Sequence, residues 1–476
     1  MISKITGILL TITFLALPME RMTAICLSRL DREVGQLARR GLARDARLGV
    51  YAQTRNQQIL INHRGDMPLI PASNQKLLTS AIALFYLGAD YQIATSLMTE
   101  LPVANGEIAG NLWVVGRGDP TLSSNQGLKE LVAQLKARGV TTIQGEIKFL
   151  DALRGRSLSR GWAQRYLHEY YAAPVSAFTL DDNSHYWTIT PTKRGQPPKF
   201  TWEHPELVQG WRVENRAVTS PPNGSYTLYT ERPQGQKLLR IYGTIPENVE
   251  PELGGVVIPD QQAYFRERLL AELQAQGITI KQQPVLNLGT ATIELAHKLS
   301  PPLSEILSFV NKNSNNLYAE QLLRILGNRL PEVYPDDTYI GGIKIIEKFF
   351  VDWNIPSYGL EIADGSGLSS ANRVTPRMLV GLLQVMAEYP QLRNSLPIAG
   401  VDGTLKRRFR NTMAVKQLRG KTGTIAGAVA LSGYVQNSEF GEIVFSIMIN
   451  HPHQSVLEMR RVVDRIALLL VHLRRC

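Results

Sequence analysis

A serine and a lysine three residues apart stand at the start of a strongly apolar stretch, Pro71-Ala72-Ser73-Asn74-Gln75-Lys76-Leu77-Leu78-Thr79-Ser80. Leu77, Leu78, Ala81, Ile82 and Leu84 recur at helical spacing, and Gly88 supplies a stop signal. On a helix, residues three apart share one face, so the two side-chain heads can meet. A serine hydroxyl is a poor nucleophile at neutral pH until a neighbouring base takes its proton. A lysine can be that base if burial, or a second cation, keeps it neutral part of the time. A serine on a first helical turn also offers its own N–H to a developing oxyanion. No other serine in the chain has a lysine three positions later. Taken alone, such a pair is more often a helix-start serine and a solvated lysine. The weight therefore falls on partners downstream.

Two partners are present. Lys421-Thr422-Gly423-Thr424 lies between a basic segment and the alternating apolar run Ala428 to Val435, a context that suits an edge strand lining a cleft. Ser314-Asn315-Asn316 follows the apolar stretch Leu303 to Val310 and precedes a helix expected from about Leu317. In this order the three motifs resemble those of serine penicillin-binding enzymes. Further text sharpens the likeness: Gly116-Arg117-Gly118-Asp119-Pro120-Thr121-Leu122, Asp364-Gly365-Ser366-Gly367-Leu368-Ser369, and Leu396-Pro397-Ile398-Ala399-Gly400-Val401-Asp402-Gly403-Thr404-Leu405. Together they resemble the D-alanyl-D-alanine carboxypeptidase/endopeptidase family known as class C penicillin-binding protein 4, from about residue 27 to the C-terminus.

That resemblance implies an α/β fold. Its core is a three-layer α/β/α penicillin-binding (β-lactamase-like) transpeptidase domain, with a large, mostly-β or α+β insertion. If Ser73 and Ser314 share a cleft, the catalytic domain is split into 26–88 and 286–476. Residues 89–285 then form the insertion, expected as two nested subdomains. The resemblance also implies roles. Ser73 attacks the penultimate D-alanine carbonyl of a peptidoglycan stem peptide, and Lys76 accepts its proton. Ser314, helped by Lys421, relays a proton to the departing amine. The N–H groups of Ser73 and Thr424 form the oxyanion hole, with Thr424 expected just after a Lys-Thr-Gly turn. Asn316 holds the acyl side-chain amide, and Lys421 and Thr422 hold the terminal carboxylate. Gly423 leaves room for substrate along the strand. β-Lactam antibiotics would acylate the same serine. Two positions depart from the family pattern: Asn315, where aspartate is common, and Ser370, where arginine is frequent. The Asp364–Ser369 stretch and Asp119 read as turns with structural roles, and Tyr318 as core.

Length, charge and composition limit the alternatives. The 476 residues suggest two or three domains, and 44% hydrophobic with 20% charged residues describes a globular chain. The net charge of +11 favours anionic surroundings such as wall polymers, and would suit peripheral association with an anionic membrane surface. Lys and Arg are dispersed without a recognition motif, so nucleic acid is not expected as a partner. The eight histidines lack a catalytic context, and neither a metal site nor a cofactor is expected. Residues 1–25 read as a secretory signal, with Lys4 before the apolar Ile5 to Leu17. A periplasmic or otherwise extracytoplasmic location follows.

Helices are expected over Leu27 to Gly41, 303–311, 317–327, 340–353, 376–388 and Ser455 to Arg474. Strands are expected over Leu48 to Ala52, Gln58 to Asn62, Ile108 to Val115, Ile143 to Leu150, 414–421, 428–436 and 441–450. In the penicillin-binding fold the first and last helices lie side by side, which implies a disulfide between the chain's two cysteines, Cys26 and Cys476. Two rival functions remain. One is a serine β-lactamase-like hydrolase built on the same motifs. The other is a catalytically idle cell-wall-binding protein, which the presence of every motif residue disfavours.

Overall fold

The computed structural model describes residues 24–285, 289, 291–330 and 333–476. The expected signal segment therefore lies almost wholly outside the described residues. Among them, no helix is long and apolar enough to cross a membrane.

The chain builds a five-stranded antiparallel sheet in the order Leu418–Ile425, Ala428–Asn437, Gly441–Asn450, Arg47–Thr54, Ile59–His63. Both faces are covered, and period-2 alternation sorts the side chains between them. Val429, Leu431, Val435, Phe445, Ile447 and Ile449 join one core with Leu30, Val34, Met459, Val463, Ile466 and Leu470. Those last six come from the helices Leu30–Gly41 and Val456–Val471. Ala430, Tyr434, Val444 and Met448 point to the opposite core. There they meet the helices Gln75–Leu87, Leu303–Asn313, Asn316–Gly327, Thr338–Asp352 and Pro376–Val385. The result is the expected helix–sheet–helix layering.

The helix after Ser73 is apolar nearly all round because it is enclosed: every residue from Gln75 to Leu84 is buried. Gly88 ends it with φ 85°, a conformation that costs other residues a Cβ clash. The terminal helices carry Asp31 and Glu33 in the first turn of one and Ser455 as N-cap of the other. Ile25–Cys26 pairs in parallel with Leu473–Arg474, and Cys26 and Cys476 form a disulfide with Cα atoms 5.1 Å apart.

The insertion leaves the catalytic domain after Leu87. Its main sheet runs Ile293–Leu299, Ala94–Thr99, Leu112–Gly116, Ile147–Asp151. The expected return at 286 is thus too early. Ile293–Leu299 pairs along Ala94–Thr99, so the chain re-enters the catalytic domain only beyond Leu299. The expected strands Ile108 to Val115 and Ile143 to Leu150 each break in two. Glu107–Ile108 and Thr142–Ile143 join a small parallel sheet with Thr279–Ile280, while Leu112–Gly116 and Ile147–Asp151 stay in the larger one. Asn111 and Gly145 lie at the two breaks, where Gly145 N–H bonds Gly110 O. Inside this unit, strands from Ser184–Thr190 to Glu252–Val257 surround a separate core of Trp187, Ile189, Leu239, Ile241, Ile245 and Val256.

Candidate active site

The strand carrying Lys421 starts later than expected, at Leu418 and not at 414, and runs to Ile425. Lys421, Thr422 and Gly423 therefore sit inside the strand, and no turn separates them from Thr424. It is an edge strand with one ladder neighbour, Ala428–Asn437. Leu418 O accepts from Ala399 N–H (2.9 Å) and Gly420 N–H donates to Pro397 O (3.0 Å), both on the outer side. Backbone groups alternate sides along an antiparallel strand, so the N–H groups of Thr422 and Thr424 also face outward. At Gly423 one face of the strand packs on the turn holding Ser73. A Cβ on Gly423 would lie 2.6 Å from Pro71 O and 3.2 Å from Asn74 N. The missing side chain thus lets the strand pack closely on the Ser73 turn.

Ser73 occupies a short 3-10 turn, Ala72–Asn74, that feeds the helix Gln75–Leu87. Ala72 before it has φ 48°, in the left-handed region although it is not glycine. Lys76 is fully buried, and its Nζ has three polar neighbours: Ser73 Oγ at 3.1 Å, Asn316 Oδ1 at 2.6 Å and Ser366 O at 2.6 Å. Asn316 is oriented by its other end, since Nδ2 donates to Tyr171 O at 2.7 Å and a carbonyl can only accept. Two neighbours of Lys76 are thus obligate acceptors, and the third is a hydroxyl that can also donate. A neutral amine has two N–H donors and one lone pair, which this arrangement satisfies with the lone pair on the serine proton. Burial drives the Lys76 pKa down, while Asp364 and Glu320 pull it back, to about 7.

Ser314 caps the helix Leu303–Asn313 in the left-handed conformation (φ 57°). Its Oγ accepts from Lys421 Nζ at 2.9 Å, and the same nitrogen reaches Thr422 O at 2.9 Å. Burial holds the Lys421 pKa well below the usual range, and the like charge of Lys76 adds to this. Asn315 is the N-cap of the next helix, accepting from Tyr318 N–H at 3.1 Å. Asparagine serves there as well as aspartate. Thr422 Oγ1 donates to Thr404 Oγ1 at 2.8 Å, and Thr424 is exposed. Seven of the eight residues singled out as site candidates thus cluster through contacts with one another or with the Ser73 turn, and the eighth, Thr424, follows Gly423 on the same edge.

The sequence reading missed the residues behind the lysine. Ser366 supplies one of its acceptors, and the loop presenting that carbonyl is held by two buried carboxylates. Asp364 accepts from Gly367 N–H (2.7 Å), Ser369 N–H (2.6 Å), Asn372 Nδ2 (2.8 Å) and Trp162 Nε1 (2.9 Å). Glu320 accepts from Gly365 N–H and Ser366 N–H (both 2.8 Å) and from Ser159 Oγ (2.6 Å). Ser159, Trp162 and Tyr171 all belong to the insertion, so one of its segments forms part of the catalytic wall. The only signal available in sequence was the i, i+4 spacing of Asn316 and Glu320, which puts both on one helical face.

Comparison with known proteins identifies the family. The model of the D-Ala-D-Ala carboxypeptidase 3 (S13) family matches residues 32–470. A D-alanyl-D-alanine carboxypeptidase of Actinomadura sp. (strain R39) is 34% identical over 425 residues, covering 84% of this chain and 77% of the relative. The D-alanyl-D-alanine carboxypeptidase DacB of Haemophilus influenzae is 28% identical over 421 residues, 86% of each chain. The crystal structure of penicillin binding protein 4 from Haemophilus influenzae superimposes with a TM-score of 0.78 at 25% identity, covering 93% of this chain and 99% of that one. A second structure of that protein, complexed with a β-lactam, gives 0.73 at 24% identity over 92% and 98%. With its matched span, its fold and its three motifs in one cleft, the chain belongs to the D-Ala-D-Ala carboxypeptidase 3 (S13) family.

Proposed function

We propose that this D-alanyl-D-alanine carboxypeptidase works through an acyl-enzyme on Ser73, with peptidoglycan stem peptides as substrates. The observation that carries the reading is the set of contacts at Lys76 Nζ, two obligate acceptors and the serine hydroxyl. Ser73 Oγ attacks the penultimate D-alanine carbonyl while its proton passes to the Lys76 lone pair. The outward N–H of Thr424 and the N–H of Ser73 receive the oxyanion. The C–N bond then breaks, and the departing amine takes a proton through Ser314 Oγ, which Lys421 Nζ contacts. Lys421 and Thr422 meet the terminal carboxylate, and Asn316 the acyl-chain amide. Water releases the acyl group and regenerates the serine. With a cross-linked amine as leaving group the same steps cleave a peptide bridge, an endopeptidase reaction. β-Lactams enter the same path as covalent inhibitors.

The substrate lies outside the cytoplasm. An extracytoplasmic location agrees with the Cys26–Cys476 disulfide, which oxidising compartments preserve. Exposure to benzylpenicillin followed by intact-mass and peptide analysis tests the assignment. A persistent adduct on the Ser73 peptide is expected, together with loss of D-alanine from defined muropeptides. The Lys76→Ala variant should acylate more than about a hundredfold slower, the usual scale of a general base. An adduct elsewhere, or rapid penicillin turnover, overturns the reading, and the second result would favour a β-lactamase-like hydrolase.

A further inference from the structure

The helix Asn316–Gly327 delivers two side chains to Lys76 from one face. Asn316 touches the amine directly, and Glu320, one turn later, touches the loop whose carbonyl does. A third residue on that face, Arg324, is 1% exposed. None of its guanidinium nitrogens has a hydrogen-bond partner among the described residues, and it lies over the Tyr339 ring at 4.4 Å. Around Lys76 the buried interior thus holds two carboxylates, Glu320 and Asp364, whose charges act on it, with Arg324 acting on Glu320 and Lys76 acting on Lys421.

We propose that Glu320 is a positioning residue of the acylation step: its carboxylate holds the Gly365-Ser366 turn so that the Ser366 carbonyl faces Lys76, and its charge governs how readily Lys76 exchanges the serine proton. The proposal rests on the role given to Lys76 above. The two carboxylates differ in what they require. Asp364 receives four N–H groups over its two oxygens, so an amide in its place would set N–H against N–H. Glu320 uses one oxygen, Oε1, for both turn N–H groups, while Oε2 meets only the Ser159 hydroxyl, which can reverse its direction. Glutamine can therefore keep every contact and lose only the charge. Burial, with Asp364 adding and Arg324 opposing, raises the Glu320 pKa above the usual carboxylate range.

The sign of the effect follows. Lys76 must be neutral to act, so acylation rises with pH through its titration. A nearby negative charge raises the pKa of Lys76, and removing it lowers that pKa. The second-order rate of acylation by benzylpenicillin is measured against pH for the full chain and its Glu320→Gln and Glu320→Asp variants. With Glu320→Gln, the acid limb should move toward acid by up to about one pH unit, the scale for loss of one close charge. Glu320→Asp keeps the charge but falls one methylene short of the turn, so the plateau should drop with the limb unmoved. It also carries the test if the glutamine variant is too unstable to purify, since a limb moved by aspartate sinks the proposal. An acid limb identical in Glu320→Gln and the parent protein overturns it too, whatever happens to the plateau. Absence of a Ser73 adduct in the parent protein overturns the functional reading itself. Normal acylation with an unmoved limb overturns this inference alone.

Discussion

Asn316 gives its oxygen to Lys76 (2.6 Å) and its nitrogen to the carbonyl of Tyr171 (2.7 Å), so one amide ties the base to the inserted domain. Asn316→Asp keeps the acceptor, removes the donor and puts a charge against the amine. The Lys76 pKa should rise from about 7, and a base with a raised pKa stays protonated to higher pH. The acid limb of acylation should then move to alkaline pH, opposite to Glu320→Gln. At neutral pH the rate should fall by roughly tenfold or more, because a base made about tenfold harder to deprotonate has also lost the donor that oriented its partner. A rate–pH profile that moves the other way would remove Asn316 from the base.

Lys421 differs from Lys76 in that, among the described residues, no carboxylate acts on it, only burial and the like charge of Lys76. Its ammonium form therefore depends on a negative charge arriving from outside, and the substrate's terminal carboxylate supplies one. Lys421→Ala should raise KM for stem peptides ending in a free carboxylate by about tenfold or more, as for loss of a charged hydrogen bond. Peptides with an amidated C-terminus should show little of that penalty. Equal losses on both peptides would mean that Lys421 acts through Ser314 alone.

A methyl group at position 423 has no space, because the Pro71 carbonyl stands 2.6 Å from where Cβ would be. Gly423→Ala must push the strand from the Ser73 turn or distort it, at a cost of about 1–3 kcal/mol for overpacking. Acylation should fall together with the unfolding midpoint. A variant with parental stability and parental acylation would show that the two segments can separate freely.

The layered fold and the three motifs are legible in the sequence because both depend on local pattern. Alternation marks the central strands, one enclosed apolar helix follows Ser73, and each motif is contiguous. Other features depend on distant partners. Local pattern sets the start of the Leu418–Ile425 strand too early, because that start is fixed by bonds from Leu418 and Gly420 to the 397–399 segment. It misplaces the end of the insertion for a similar reason: Ile293–Leu299 belongs where it pairs, with Ala94–Thr99. Glu320 is ordinary in sequence, and only folding sets its carboxylate and that of Asp364 against the N–H groups of one loop. Ala72 carries no signal for its positive φ, since tertiary packing, not glycine, imposes it.

The Cys26–Cys476 bridge spans a sequence separation of 450 residues. Chain-entropy scaling gives an upper value of roughly 6 kcal/mol for a loop of that size. The structure argues for less. Ile25–Cys26 is already paired with Leu473–Arg474, and Leu30 and Val34 share a core with Val463 and Leu470, so the two ends stay adjacent without the bond. Both terminal helices lie on the sheet face opposite the nucleophile helix. Reduction, or a Cys26→Ser/Cys476→Ser variant, should therefore lower the denaturant midpoint while leaving benzylpenicillin acylation at 25 °C within about twofold of the parent protein, because surface changes remote from the site rarely alter it further. Two titratable thiols in the unreduced, exported protein would show that the bridge does not form there. A large loss of acylation on reduction, without unfolding, would instead mean that the terminal layer transmits strain through the sheet to Lys421.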